Sequence, residues 1–252
     1  MTTLRTKCLC TTFAIAIVVH VPAPAIAQTL VPQPPEPKVS RAFSGLFRDT
    51  VTDFRSLTSK KPLTILGIGV IAAAAAHVAD PSMTSMLASE RAGFLGAGET
   101  IGSARLQLAG ALATFAAGHI TGNAKVTAVG ADLVSANIVA QTLTGAVKMS
   151  VRRGRPDGTQ FSFPSGHTSV TFASATVVQR HFGWKAGVPA YAVASYVAAS
   201  RIHDKRHFLS DVAFGAAVGI VSGWTVTMGH GDAQVTMTPV AAPGGAGLSL
   251  SW

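Results

Sequence analysis

Cysteine is almost missing from this chain. Its 252 residues contain two, Cys8 and Cys10. Both lie in the first ten positions, so disulfide and thiolate chemistry are excluded from everything downstream. Lys7 before Cys8 does not match a lipoprotein cleavage box. Charge is scarce too: 12% of residues are Asp, Glu, Lys or Arg, well below the soluble average. Acids are the rarer sign, 11 against 20 Lys and Arg, for a formal net charge of +9. The basic residues are not interleaved with aromatics on one face, which argues against a nucleic-acid partner. An anionic membrane surface or an anionic substrate accounts for them better. No strand-period alternation runs through the middle of the chain. The histidines His20, His77, His119, His181, His203 and His230 show no metal-ligand spacing, so the expectation is no metal and no cofactor.

Hydrophobic residues make up 48%, and they are organised. Residues 1–27 read as a secretory signal: Arg5 and Lys7, an apolar run, then Ala25-Ile26-Ala27 before a cut at Gln28. Residues 28–39 are proline-rich and predict an extended linker. Phe43, Leu46, Phe47, Val51, Phe54 and Leu57 then recur at helical spacing, with Arg41, Arg48 and Arg55 elsewhere on the wheel. That amphipathic helix either packs on the main domain or lies in a membrane interface. From Pro62 on, apolar segments rich in small residues predict helices near 62–79, 104–121, 124–147, 167–182, 185–200 and 207–228. Residues 80–103 read as a longer connection with room for a short helix. Asp132, Gln141 and His119 fall inside apolar segments and read as satisfied polar core residues. In the tail from Gly229, Val235, Met237 and Val240 precede Ala242-Pro243-Gly244-Gly245. Leu248, Leu250 and Trp252 then alternate, which predicts a short β-hairpin. The fold class is therefore all-α: a bundle of about six core helices over 40–228, with an N-terminal amphipathic helix and a C-terminal hairpin or tail over 229–252.

The stretch from Lys148 to Asp211 carries the chemistry. It reads KMSVRRGRPDGTQFSFPSGHTS and, after a gap, SRIHDKRHFLSD. Lys148, Arg155 and Arg201 are cations. Ser165 and the Gly166 amide are hydrogen-bond donors. His167 and His207 can move protons or attack. Asp211 follows His207 by four residues, so on one helix the two would share a face, and a carboxylate there can orient an imidazole. Ser165-Gly166-His167 opens a helix, where free amides favour an anion. Helices running up and down bring all three clusters to one end of the bundle. Phosphate is the obvious oxyanion for such a set.

The pattern K-x6-RP, PSGH and SR-x5-H-x3-D resembles the type 2 phosphatidic acid phosphatase and vanadium haloperoxidase superfamily. All three motifs are filled, at Lys148 to Pro156, Pro164 to His167, and Ser200 to Asp211. The resemblance implies that Lys148, Arg155, Arg201, Ser165 and the Gly166 amide bind the phosphoryl oxygens. It implies His207 as nucleophile, oriented by Asp211, and a phosphohistidine intermediate. It assigns His167 as general acid and then as base for water. The implied function is a metal-independent phosphatase acting on a lipid phosphate or pyrophosphate, or on a soluble phosphoester. Vanadate would inhibit it. A vanadium-dependent haloperoxidase, with vanadate as cofactor in the same cradle, is the second reading, although those proteins are generally much larger. A non-catalytic membrane-associated protein of the same fold is the third. The short spacing from Arg155-Pro156 to Pro164 is more like the lipid phosphatases than the soluble acid phosphatases.

The signal predicts export to the periplasm, with the domain associated with the inner membrane or integral to it. Several helices fall short of the roughly 20 residues that span a bilayer. If residue 28 starts outside and every helix crosses, Lys148 ends in the cytosol. A periplasmic site then requires a soluble domain or one apolar segment that does not cross.

Overall fold

The computed structural model describes residues 43–89, 93–228, 236–242 and 245–251. The signal, the proline-rich linker and both cysteines lie outside the described residues. The helices are α1 (Phe43–Ser56), α2 (Lys60–His77), α3 (Asp80–Ser89), α4 (Ala97–Ile101), α5 (Ala104–Thr121), α6 (Ala124–Val151), α7 (Gly166–Phe182), α8 (Trp184–His203) and α9 (Leu209–Val226), with a 3-10 turn at Gly93–Gly96. The all-α expectation holds. The predicted connection over 80–103 contains α3, the 3-10 turn and α4. At the C-terminus, β1 (Thr236–Ala242) pairs antiparallel with β2 (Gly245–Ser251), at the place where the alternation predicts a hairpin.

Local chemistry sets the helix ends. Ser103 caps α5 by accepting the Leu106 amide, and Gly122, at φ 68°, closes it in the left-handed region that favours glycine. Asn123 then caps α6 by accepting the Val126 amide. The two-residue link makes α5 and α6 antiparallel neighbours. α6 runs four residues beyond the predicted end. Its 28 residues span about 42 Å at 1.5 Å per residue, so Lys148 stands on its last turn.

α9 is the central strut, packing on α2, α6 and α7. Gly215, Gly219 and Gly223 form a stripe at i, i+4, i+8 against the α7 backbone. A Cβ built on Gly215 would stand 2.8 Å from the Ser165 carbonyl oxygen, and one on Gly219 would stand 2.6 Å from Phe172 Cβ and closer still to the Ser169 carbonyl oxygen. Only a missing side chain lets the two backbones approach so closely. The core around this contact comprises Ala136, Val139, Ala140, Val170, Ala173 and Val177, with Phe54 and Leu57 packed against it. Thr50 Oγ1 also bonds Ser135 Oγ at 3.0 Å, so α1 packs on the bundle. Asp132, as expected, is satisfied, by His181 Nε2 at 2.8 Å.

By length and composition, α6 and α9 are long and apolar enough to cross a membrane. Residues 50–56 with α2 pass the same test together, bent by 70°. Apolar side chains also face outward on three other helices: Leu63, Ile68 and Ile71 on α2, Leu112 and Ile120 on α5, Val188 and Val193 on α8.

Candidate active site

The up-and-down path brings the C-termini of α6 and α8 together with the N-termini of α7 and α9. Lys148, Arg155, His167, Arg201, His207 and Asp211 gather there, close enough for each to feel the charge of several others. The 152–165 loop is held by its own turns. Arg155 N–H donates to Thr159 O at 2.7 Å, and Gly158 N–H to Arg155 O at 3.0 Å. Asp157 clips this loop to the α8–α9 loop: its amide donates to Lys205 O at 3.1 Å, and its carboxylate accepts from Arg206 at 2.9 Å. Lys148 Nζ donates to Phe161 O at 2.6 Å, so it braces the loop as well as facing the cluster.

Ser165 is fully buried and is the N-cap of α7, with its Oγ accepting from Thr168 N. Its own hydroxyl proton remains to be donated, and Gly166 is the first residue of the helix, where amides have no intrahelical acceptor. Arg201 is 1% exposed. Its guanidinium bonds Ser200 Oγ at 3.2 Å, the Asp204 carboxylate closely, and Glu99 at 3.8 Å. His203, outside the predicted set, pairs with Asp204 at 3.1 Å.

The expectation for His207 and Asp211 needs correction in one respect. They do not sit together on a helix. α9 starts at Leu209, and His207 lies in the preceding loop with its amide bonded to Arg201 O at 3.1 Å. The reason is that Asp211 acts as a cap: Oδ2 accepts the Phe208 amide at 2.8 Å, which ends the helix before His207 can join it. His207 still reaches the carboxylate, with Nδ1 3.6 Å from Asp211 Oδ2. That is an ion-pair distance and too long for a good hydrogen bond. Nδ1 is buried and otherwise unpartnered. Burial holds the His207 imidazole below its ordinary pKa against the pull of Asp211, with Lys148 and Arg155 adding to the lowering. Burial first, then the charges of Arg201 and His207, lower His167 to about 4.

Two side chains central to this geometry carry no motif signal. Arg153 Nη1 donates to Asp211 Oδ1 at 2.8 Å, and its guanidinium stacks on the Phe208 ring at 4.2 Å. Ser162 Oγ donates to Asp211 Oδ2 in a short hydrogen bond. Both lie in the variable stretches between motif residues, and their partner is about 50–60 positions away. The basic pair Arg152-Arg153 reads in sequence as surface charge.

An open cavity of about 740 Å³ adjoins the cluster, lined by Pro81, Thr84, Ser85, Arg155, Lys205 and Phe208. A second, of about 320 Å³, lies between α5 and α6 and is mostly apolar, with Ala104, Leu108, Ile138 and Gln141 in its wall.

Comparison with known proteins fits this arrangement. The PAP2 superfamily profile matches residues 129–234, a span containing every motif residue above. Over this segment the chain is similar to the PAP2 superfamily. A lipid A 1-phosphatase of Porphyromonas gingivalis is 47% identical over 85 residues, covering 32% of this chain and 19% of that protein. The chain thus spans about a fifth of the length of this curated relative. Two crystal structures share the fold at 21% identity. One is a transmembrane PAP2-type phosphatidylglycerolphosphate phosphatase of Bacillus subtilis, with TM-score 0.53 over 68% of this chain and 96% of the other. The second is Aquifex aeolicus LpxE, with TM-score 0.51 over 59% and 94%.

Proposed function

We propose that this protein is a membrane phosphatase that hydrolyses a lipid phosphate through a phosphohistidine on His207. The observation that carries this reading is the convergence at one bundle end of three cations, a capped helix N-terminus and two imidazoles, one facing a carboxylate. Lys148, Arg155, Arg201, Ser165 and the Gly166 amide would hold the phosphoryl oxygens and stabilise charge as it develops. With Nδ1 turned to Asp211, His207 attacks through Nε2. The N–P bond forms as the ester P–O bond breaks, and His167 donates a proton to the departing oxygen. Water then attacks phosphorus, giving its proton to His167, and phosphate leaves as the N–P bond breaks. The donors and the covalent route supply the charge stabilisation and the nucleophile, so the proposed mechanism uses no metal.

Lipid as the substrate class draws support from the membrane-length helices, the outward apolar side chains and the names of the relatives. The apolar cavity between α5 and α6 suits an acyl chain, and the larger cavity over Arg155 has room for a headgroup. Orientation follows from topology. Lys61 and Arg180 face the Trp224 ring, and Lys125 faces Phe182, at the end of the bundle away from the site, while the site end is basic as well, so charge does not choose between the two faces. Treating the bent α1–α2 pair as re-entrant, after a cleaved signal, turns the site outward.

The test is a substrate panel on the full chain in detergent, with chelator. Phosphatidate, a lipid pyrophosphate, lipid A 1-phosphate, nucleotides and p-nitrophenyl phosphate are compared. Hydrolysis of lipid phosphates that persists in EDTA and is blocked by vanadate, a transition-state analogue, is expected. Activity lost in EDTA and restored by a divalent metal would falsify the metal-free mechanism. Bromide oxidation with added vanadate, and no phosphate release, would make it a haloperoxidase.

A further inference from the structure

We infer that Asp80, on α3 and outside the family-matched segment, is a positioning residue that acts on His207 through Arg153 and Asp211. The inference rests on the reading of His207 as nucleophile. Asp80 is 2% exposed and fully engaged. Oδ2 accepts from Arg153 Nη2 at 2.8 Å and Ser210 Oγ at 2.7 Å, and lies 2.8 Å from His77 Nδ1. Oδ1 accepts the Ser210 amide at 2.9 Å. Arg153 spans the gap: its other terminal nitrogen, Nη1, bonds Ser210 Oγ at 2.7 Å and Asp211 Oδ1 at 2.8 Å. The carboxylate of Asp211 is thereby divided. Oδ1 belongs to Arg153, while Oδ2 takes the Ser162 hydroxyl and the Phe208 amide and faces His207.

The charge count explains why a second acid is needed. Arg153 alone would neutralise Asp211, and a neutralised pair stabilises an imidazolium poorly. Asp80 balances Arg153, so the Asp80–Arg153–Asp211 chain presents one net negative charge to His207. That charge matters most as His207 becomes cationic on attacking phosphorus. In a buried network its value is high because little water screens it. Geometry gives the second role. With Asp80 holding one side of the guanidinium, Arg153 cannot swing toward His207 and displace it from Oδ2.

The experiment is rapid-quench measurement of phosphoenzyme formation by Asp80→Asn in the full-length protein, normalised to vanadate-binding sites. Two substrates are used, an alkyl phosphate and p-nitrophenyl phosphate. The expected loss is about 10–100-fold, typical of partners one shell behind a working group. It should be the same for both leaving groups, because His167 is untouched, with KM within about threefold. Asp80→Glu, which keeps the charge, should recover part of the rate. The deciding result is the double variant: Asp80→Asn with Asp211→Asn should be no slower than Asp211→Asn alone, since both act on one route. A wild-type rate in Asp80→Asn, or a loss that multiplies with that of Asp211→Asn, overturns the inference. Should Asp80→Asn not assemble, Ser210→Ala removes bonds to both Asp80 and Arg153 without changing charge. It should show a smaller loss, equal for both leaving groups, and a wild-type rate in it overturns the inference too. Phosphoenzyme in His207→Ala would instead remove the underlying assignment of the nucleophile, whatever Asp80→Asn does.

Discussion

Sulfate binding to this protein should take up a proton, and His167 should be where it goes. Burial and the neighbouring cation Arg201 hold His167 near 4 in the free protein, with His207 and Arg155 adding to the lowering and Glu99 opposing it. At pH 6 a group of that pKa is about 1% protonated, against roughly three-quarters for an ordinary imidazole at 6.5. A tetrahedral dianion in the cradle screens Arg201 and Arg155 from His167 and adds an attractive charge, so it raises the pKa. If it restores the ordinary value, binding at pH 6 takes up about 0.7 proton, falling below about 0.1 at pH 8, where neither state is protonated. Sulfate is the right probe because it does not itself titrate in this range. The assay is isothermal titration calorimetry in two buffers of different ionisation enthalpy, at pH 6 and pH 8. In the proposed mechanism, the substrate's own charge would load His167 as the general acid. No uptake at pH 6, or proton release, refutes the reasoning. Undiminished uptake in His167→Gln moves the proton to His207, whose pKa is also held down.

His207→Ala should abolish turnover of both alkyl and nitrophenyl phosphates, whereas His167→Ala should lose about 10²–10⁴-fold on the alkyl ester and much less in the first step with p-nitrophenyl phosphate. Rapid-quench kinetics check this, and a His167→Ala loss that ignores the leaving group would mean the general acid is misassigned. Gly219→Ala forces a Cβ into the α7 backbone and should destabilise the fold by about 1–3 kcal/mol. Gly67→Ala, where an added Cβ meets nothing within 4 Å, should be neutral or slightly stabilising. Thermal melts of the two purified variants in detergent decide this, and equal melting temperatures would mean the α7–α9 contact is not close-packed.

Much of this protein is local in its sequence. The helices from α5 to α9 follow from apolar segments and their capping residues: Ser103, Asn123 and Ser165 accept amides three positions on, so both pattern and cap lie within one short window. The motif residues were legible because their spacing is itself sequence. Their meeting at one end follows from helices that alternate in direction. What stayed hidden depends on partners far along the chain. Asp80 reads as a helix-opening residue in a connection, yet its bonds reach 73 and 130 positions ahead, to Arg153 and Ser210. Arg153 reads as loop charge until α3 and α9 meet and bring Asp80 and Asp211 to either side of it. The place of His207 was also undecidable from spacing. An i, i+4 pair suits a helix, but Asp211 spends an oxygen on the Phe208 amide, and that cap excludes His207 from α9. Short-range periodicity determines which segments are helices and which residues are offered. Which oxygen of Asp211 faces the histidine, and what balances the charge beside it, is decided only by three-dimensional packing, because those contacts join residues that no local pattern connects.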